Sequence, residues 1–103
     1  MVNTTTDIAR ICDNVKSLLL EKNMKYGDSA LNPVRVMSKS STVEQILVRI
    51  DDKLSRIARG NLLGDDEDVI MDLIGYFILL KIALERDAQA AYNEPRTHVT
   101  HDL

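Results

Sequence analysis

Residues 41–60 read STVEQILVRIDDKLSRIARG, and this stretch decides the fold class. Ser41 and Glu44 form a capping box, in which the serine hydroxyl accepts a hydrogen bond from the Glu44 amide while the glutamate reaches back. Apolar residues then recur every three or four positions, the period of one helix face. They are Val43, Ile46, Leu47, Ile50, Leu54 and Ile57. Because Gly60 is a natural helix stop, the stretch predicts one amphipathic helix.

Two more helices are predicted on either side of this one. The first spans about residues 7–24, with an apolar stripe that runs from Ile8 to Leu19 and includes Cys12 as a small core residue. The last starts among the acids at 65–68 and continues to about residue 91, and its apolar surface is broad, with one stripe formed by Val69, Ile70, Leu73, Phe77, Leu80 and Leu84. The short turn at 60–64 makes the last two helices antiparallel neighbours. The predicted fold is all-α: three main helices with an antiparallel hairpin, completed as a bundle by oligomerisation.

Length and composition define the class of protein. The chain has 103 residues, which fits one helical domain over 1–91 and a flexible tail over 92–103. Thirteen basic and 16 acidic residues give a net charge of −3, which excludes bulk electrostatic binding to nucleic acid. Cys12 is the single cysteine, so no intrachain disulfide forms. The longest apolar stretch, 74–80, is too short to cross a bilayer. We therefore expect a cytoplasmic protein that does not enter membranes.

Acidic residues form the clearest candidate site in the sequence. Asp68 and Asp72 are four apart, so their carboxylates lie one turn apart on the last helix. Their face looks towards a groove or a second packing surface, and it also carries Gly75, Tyr76 and Leu79. Glu44 and Asp52 lie on the preceding helix. Carboxylates on neighbouring helices are how bundles bind hard cations such as Mg²⁺. The competing interpretation is structural: Asp68 as a first-turn acid, Glu44 as a capping-box partner and Asp52 as a solvated ion-pair member.

A basic and polar set precedes and follows the long loop at about 25–40. Lys22, Lys25 and Tyr26 come before Gly27, and Lys53 and Arg56 follow on the next helix. Basic side chains suit the phosphates of a ligand and the tyrosine ring suits a base. The alternative is an ordinary helix C-terminus, at which lysines complement the helix dipole and a glycine ends the helix.

Three blocks of this sequence resemble a known family. They are KNMKYGDS at 22–29, EQILVRIDDKLSR at 44–56 and EDVIMDLIGY at 67–76. They are similar to the nucleotide modification associated domain family of phages and prophages, itself similar to the all-α, MazG-like nucleoside triphosphate pyrophosphatases. The resemblance covers about residues 8–85. It implies helical oligomers whose carboxylates hold Mg²⁺ and that cleave between the α and β phosphates of a nucleotide.

Carried over by position, the resemblance implies roles for individual residues. Metal ligands would be Glu44, Asp52, Asp68 and Asp72, with Glu44 and Asp72 also serving catalysis. The nucleotide would be contacted by Lys25, Tyr26, Lys53 and Arg56. In this interpretation Mg²⁺ acts as a Lewis acid and lowers the pKa of the attacking water.

Three hypotheses follow from the sequence. The first is a Mg²⁺-dependent nucleotide-binding protein that acts as a nucleoside triphosphate pyrophosphohydrolase. The second is a module that sequesters a nucleotide without turnover, and it is favoured because Leu47 and Val69 stand where the MazG-like proteins carry acids. The third is a helical oligomer that serves only as a scaffold, motivated by the wide apolar surface of the last helix.

Overall fold

A computed structural model describes residues 2–60 and 68–93, in which all the regular secondary structure is helical. Within these ranges there are three helices and no strand: α1 (Thr4–Tyr26), α2 (Thr42–Ala58) and α3 (Val69–Asn93). The predicted all-α class is confirmed. None of these three helices has the length and apolar content that a bilayer crossing requires.

Helix α2 begins and ends as its sequence predicts. Ser41 is the N-cap, and its Oγ accepts a hydrogen bond from the Glu44 amide at 3.1 Å. The helix ends at Ala58, and Gly60 follows with φ +87°, a left-handed conformation that disfavours any side chain. The capping serine and the terminal glycine thus fix the length of α2.

Helix α1 is longer than predicted at both ends. Asn3 is its N-cap, with the side-chain oxygen accepting from the Thr6 amide at 3.2 Å, so the helix starts three residues before the expected position. At the other end Gly27 adopts φ +64° and donates its N–H to the Asn23 carbonyl oxygen. Asp28 also has a positive φ, of 62°, so two consecutive left-handed residues end the helix.

Helix α3 starts at Val69 and extends to Asn93, two residues beyond the predicted end of the domain. Asp68 directly precedes it, and its Oδ1 accepts a hydrogen bond from the Met71 amide at 2.9 Å. The predicted turn at 61–64, the acids at 65–67 and the predicted tail from 94 onward lie outside the described residues.

The hydrophobic core lies between α2 and α3. Its buried members are Ile46, Ile50, Val69, Leu73 and Ala83. Lys53, late in α2, contacts Asp72, in the first turn of α3, which is the arrangement expected of antiparallel neighbours. Burial of these apolar side chains is the main stabilising term for the hairpin.

Half of the stripe predicted for α3 packs against α2. Val69 and Leu73 are buried in the core and Leu80 is partly buried against it. The other three residues, Ile70, Phe77 and Leu84, were expected in the core, yet each is about half exposed, Phe77 to 51 %. The buried face continues to Ala83 with spacings of four and three. Leu54 of α2 is also exposed, because its neighbour Lys53 faces the core in its place.

Helix α1 packs against α3 and makes no direct packing contact with α2. Val15 is its single buried residue. The prediction that Cys12 belongs to the core is wrong, since its side chain is exposed. Only a narrow face of α1 contacts α3, so most of the apolar stripe of α1 is exposed to solvent.

Gly75 of α3 leaves room for the side chain of Leu19 of α1, because it carries no side chain of its own. It is buried, and a Cβ placed on it would lie 3.2 Å from Leu19 Cδ2, closer than ordinary van der Waals contact. A glycine inside a helix costs about 1 kcal/mol relative to alanine. The close approach of Leu19 offsets this cost and positions α1.

Replacing Gly75 by valine should therefore loosen α1. The branched side chain overlaps Leu19 and we expect a loss of about 1–3 kcal/mol in the free energy of unfolding, the usual cost of overpacking. Chemical denaturation followed by circular dichroism measures it. Ala88→Val, at an exposed position of the same helix, is the control for β-branching. Equal losses in the two variants would contradict the proposed contact.

Candidate functional site

A cleft of about 470 Å³ opens where the three helices meet. Since α1 and α2 each pack on α3 but not on each other, α3 forms its floor and the other two helices form its walls. The lining residues come from all three helices and the loop after α1: Leu18, Leu19, Lys22, Asn23, Tyr26, Ser29, Ala30, Arg49, Lys53, Met71, Asp72, Gly75, Tyr76 and Leu79. This volume is in the range of small-molecule sites, which run from about 300 to 1,000 Å³.

An ion pair lies between α2 and α3 at this cleft. Lys53 Nζ is 3.1 Å from Asp72 Oδ2, and the two side chains are only 11 % and 21 % exposed. Lys53 occupies the position after Ile46 and Ile50 in the inward-facing series of α2, so the packing of the hairpin holds its ammonium in place. Charges this far from water are screened little, which makes the pair a strong local feature.

Two further cations line the same cleft from opposite walls. Lys22 belongs to α1 and Arg49 to α2, and both side chains are exposed. Neither makes an ion pair with any residue of the described ranges. Arg49 is four residues before Lys53, so both project from one face of α2. Positive charge from two helices is thereby focused on one concave surface.

Aromatic and apolar side chains line the rest of the cleft. Tyr76 comes from α3 and Tyr26 from the last turn of α1, and leucines 18, 19 and 79 lie among them. Tyr26 is more than half exposed, and the Lys25 ammonium lies 5.4 Å from the centre of its ring, within cation–π range. The cleft thus combines flat apolar surface with fixed positive charge.

The predicted site residues divide into two groups. Tyr26, Lys53 and Asp72 line the cleft together with Gly75, Tyr76 and Leu79, the groove-facing set predicted for α3. The others lie outside its lining: Lys25, Glu44, Asp52, Arg56 and Asp68. Lys25 stays next to Tyr26, and Asp52 Oδ2 is 3.5 Å from Arg56 Nε on the exposed side of α2.

The four predicted Mg²⁺ ligands do not converge in one copy of the chain. Across residues 2–60 and 68–93, no three His, Cys, Asp or Glu side chains form a group that could hold a metal ion. Asp68 uses Oδ1 to cap α3, and Asp72 and Asp52 are each engaged by a basic side chain. The described donors of a single chain therefore do not fit the predicted metal, and we derive no catalytic step from it.

Sequence reasoning did not select Arg49, Asn23 or Ser29 as site residues. The four-residue spacing of Arg49 and Lys53 on α2 was a usable signal, since it places both on one helix face. Ser29 carried none, because it follows the turn at Gly27 and Asp28, and Asn23 reaches the cleft only because α1 packs on α3. In comparisons with known proteins, no family model matches this chain, and no curated protein and no solved structure is significantly similar to it.

Proposed function

We propose that this protein binds a nucleotide in the cleft between α1, α2 and α3. The observation that carries the proposal is the convergence of Lys22 and Arg49, exposed cations from two helices, on one cleft where neither has a carboxylate partner in the described part of the chain. An anion bound in the cleft would be attracted by both cations at once. Charge-assisted hydrogen bonds to phosphate are the strongest that these side chains make.

The remaining lining supports an aromatic ligand rather than a bare anion. Tyr26 and Tyr76 offer ring faces, and the leucines around Gly75 offer apolar contact to a base and sugar. Stacking on an aromatic side chain tolerates any base, since every base has a π-face. Asn23 and Ser29 supply hydrogen-bonding groups at the rim. A phosphorylated nucleoside fits both parts of this lining.

Hydrolysis is the second candidate. Asp72 lines the cleft, and it is one of the acids that the resemblance to MazG-like pyrophosphatases assigns to catalysis. Release of pyrophosphate from nucleoside triphosphates, assayed with and without Mg²⁺, separates turnover from sequestration. Unchanged turnover in Asp72→Asn would contradict the catalytic assignment.

A thermal-shift screen tests binding itself. We expect at least one member of a panel of nucleoside mono-, di- and triphosphates to raise Tm, since a ligand at 100 times its Kd stabilises by about 2.7 kcal/mol. Lys22→Gln and Arg49→Gln should each weaken binding about tenfold, which equals about 1.4 kcal/mol. Lys16→Gln is the matched control, because Lys16 is an exposed lysine of α1 that does not line the cleft.

Two results of this screen would contradict the proposal. One is that no nucleotide changes Tm with or without Mg²⁺, which would favour the scaffold hypothesis. The other is that Lys16→Gln weakens binding as much as Lys22→Gln does, because the cation at the cleft would then have no special role.

We also propose that the protein self-associates. Large apolar side chains of α1 and α3 are exposed in the single chain: Ile8, Leu20 and Met24 on α1, and Ile70, Phe77, Ile78 and Leu84 on α3. Exposed apolar residues at this density support an interface between copies. A second copy would complete the bundle that the sequence predicts.

A further inference from the structure

We infer that the cleft binds its phosphate ligand without a divalent cation, because Lys22 and Arg49 supply the positive charge and the Lys53 ammonium already occupies Asp72. The inference rests on the proposed function and names the chemistry of that site: a phosphate or pyrophosphate group held by side-chain cations alone.

The ion pair involves Asp72, one of the predicted metal ligands. The Lys53 ammonium lies 3.1 Å from Asp72 Oδ2, and both side chains are largely withdrawn from solvent. A divalent cation bound to Asp72 would stand next to this fixed ammonium, and the two positive charges would repel strongly where water screens them little. The pair therefore opposes metal binding at the one predicted metal ligand that lines the cleft.

Two exposed cations supply the donors for the ligand. Lys22 and Arg49 line the cleft from two different helices, and neither has an ion-pair partner in the described part of the chain. They supply the charge neutralisation that phosphates otherwise obtain from Mg²⁺.

Calorimetric titration with inorganic pyrophosphate tests the inference in the full chain. We expect binding in EDTA at least as tight as in Mg²⁺, and no heat of binding from Mg²⁺ alone. Lys22→Gln and Arg49→Gln should each weaken pyrophosphate binding in EDTA by about tenfold or more, and Lys16→Gln should not.

Each result decides the question. Binding that requires Mg²⁺, Mg²⁺ binding by the wild type that Asp72→Asn abolishes, or no pyrophosphate binding in either buffer would overturn the inference. The nucleotide screen decides the proposed function separately, so a Mg²⁺ requirement there would leave nucleotide binding intact. If circular dichroism shows that Asp72→Asn is unfolded, the variants of the two exposed cations, Lys22 and Arg49, carry the test in EDTA.

Discussion

Alanine in place of Ile46 is expected to lower the free energy of unfolding by about 3–4 kcal/mol, within the range for isoleucine-to-alanine changes in cores. Ile46 is 2 % exposed and lies at the centre of the cluster between α2 and α3. The whole free energy of unfolding of such a domain is only about 5–15 kcal/mol. Loss of the methyl and ethyl groups of Ile46 removes buried apolar surface and leaves a cavity. A large fraction of the free energy of unfolding should therefore be lost.

Urea denaturation followed by circular dichroism measures this loss, with the wild type and variant at the same protein concentration. Val48→Ala is the matched control, because Val48 lies two residues away on α2 and is 65 % exposed. We expect the control to change stability by less than about 0.5 kcal/mol. Similar losses in the two variants would show that the α2–α3 core is not where stability resides.

The Lys53–Asp72 pair carries the second large expected effect. Lys53→Met and Asp72→Leu should each cost about 2–4 kcal/mol, because either change leaves the other charge largely buried without its partner at 3.1 Å. The double variant Lys53→Met/Asp72→Leu should recover most of this loss, since two apolar side chains can pack where the charges were. Urea denaturation of the four proteins completes a double-mutant cycle.

An exposed pair on α3 is the control for this cycle. Lys81 Nζ lies 3.3 Å from Glu85 Oε2, but both side chains are well exposed to solvent. Glu85→Gln should cost less than about 1 kcal/mol, because solvent-exposed ion pairs contribute little. If the cycle at Lys53 and Asp72 gave a coupling energy as small as that of an exposed pair, the pair could not shape the cleft as we propose.

The fold was predictable where local chemistry determines it. The cap at Ser41 and the stop at Gly60 are sequence signals, and both appear as expected at the ends of α2. The buried face of α3 was predictable only in part, because its apolar residues surround most of the helix and periodicity alone does not say which side α2 covers. The inward position of Lys53 was hidden for a related reason, since a basic residue at a core position contradicts the usual pattern.

The site was predictable in part for similar reasons. Asp72 and Tyr76 share a helix face with Gly75, so one helix wheel placed them together. The approach of Lys22 and Arg49 depends on where α1 docks on α3, and that docking depends on Leu19 resting on Gly75. Contacts between distant helices of this kind leave no periodic signal in a single sequence.

The exposed side chain of Cys12 has a consequence for any study of this protein in solution. A lone surface thiol can be oxidised to a disulfide between two molecules, which would produce a covalent dimer unrelated to the proposed interface. Sedimentation measurements of the native mass therefore need a reducing agent. The same thiol gives one attachment point on α1 for a fluorescent or spin label, outside the lining of the cleft.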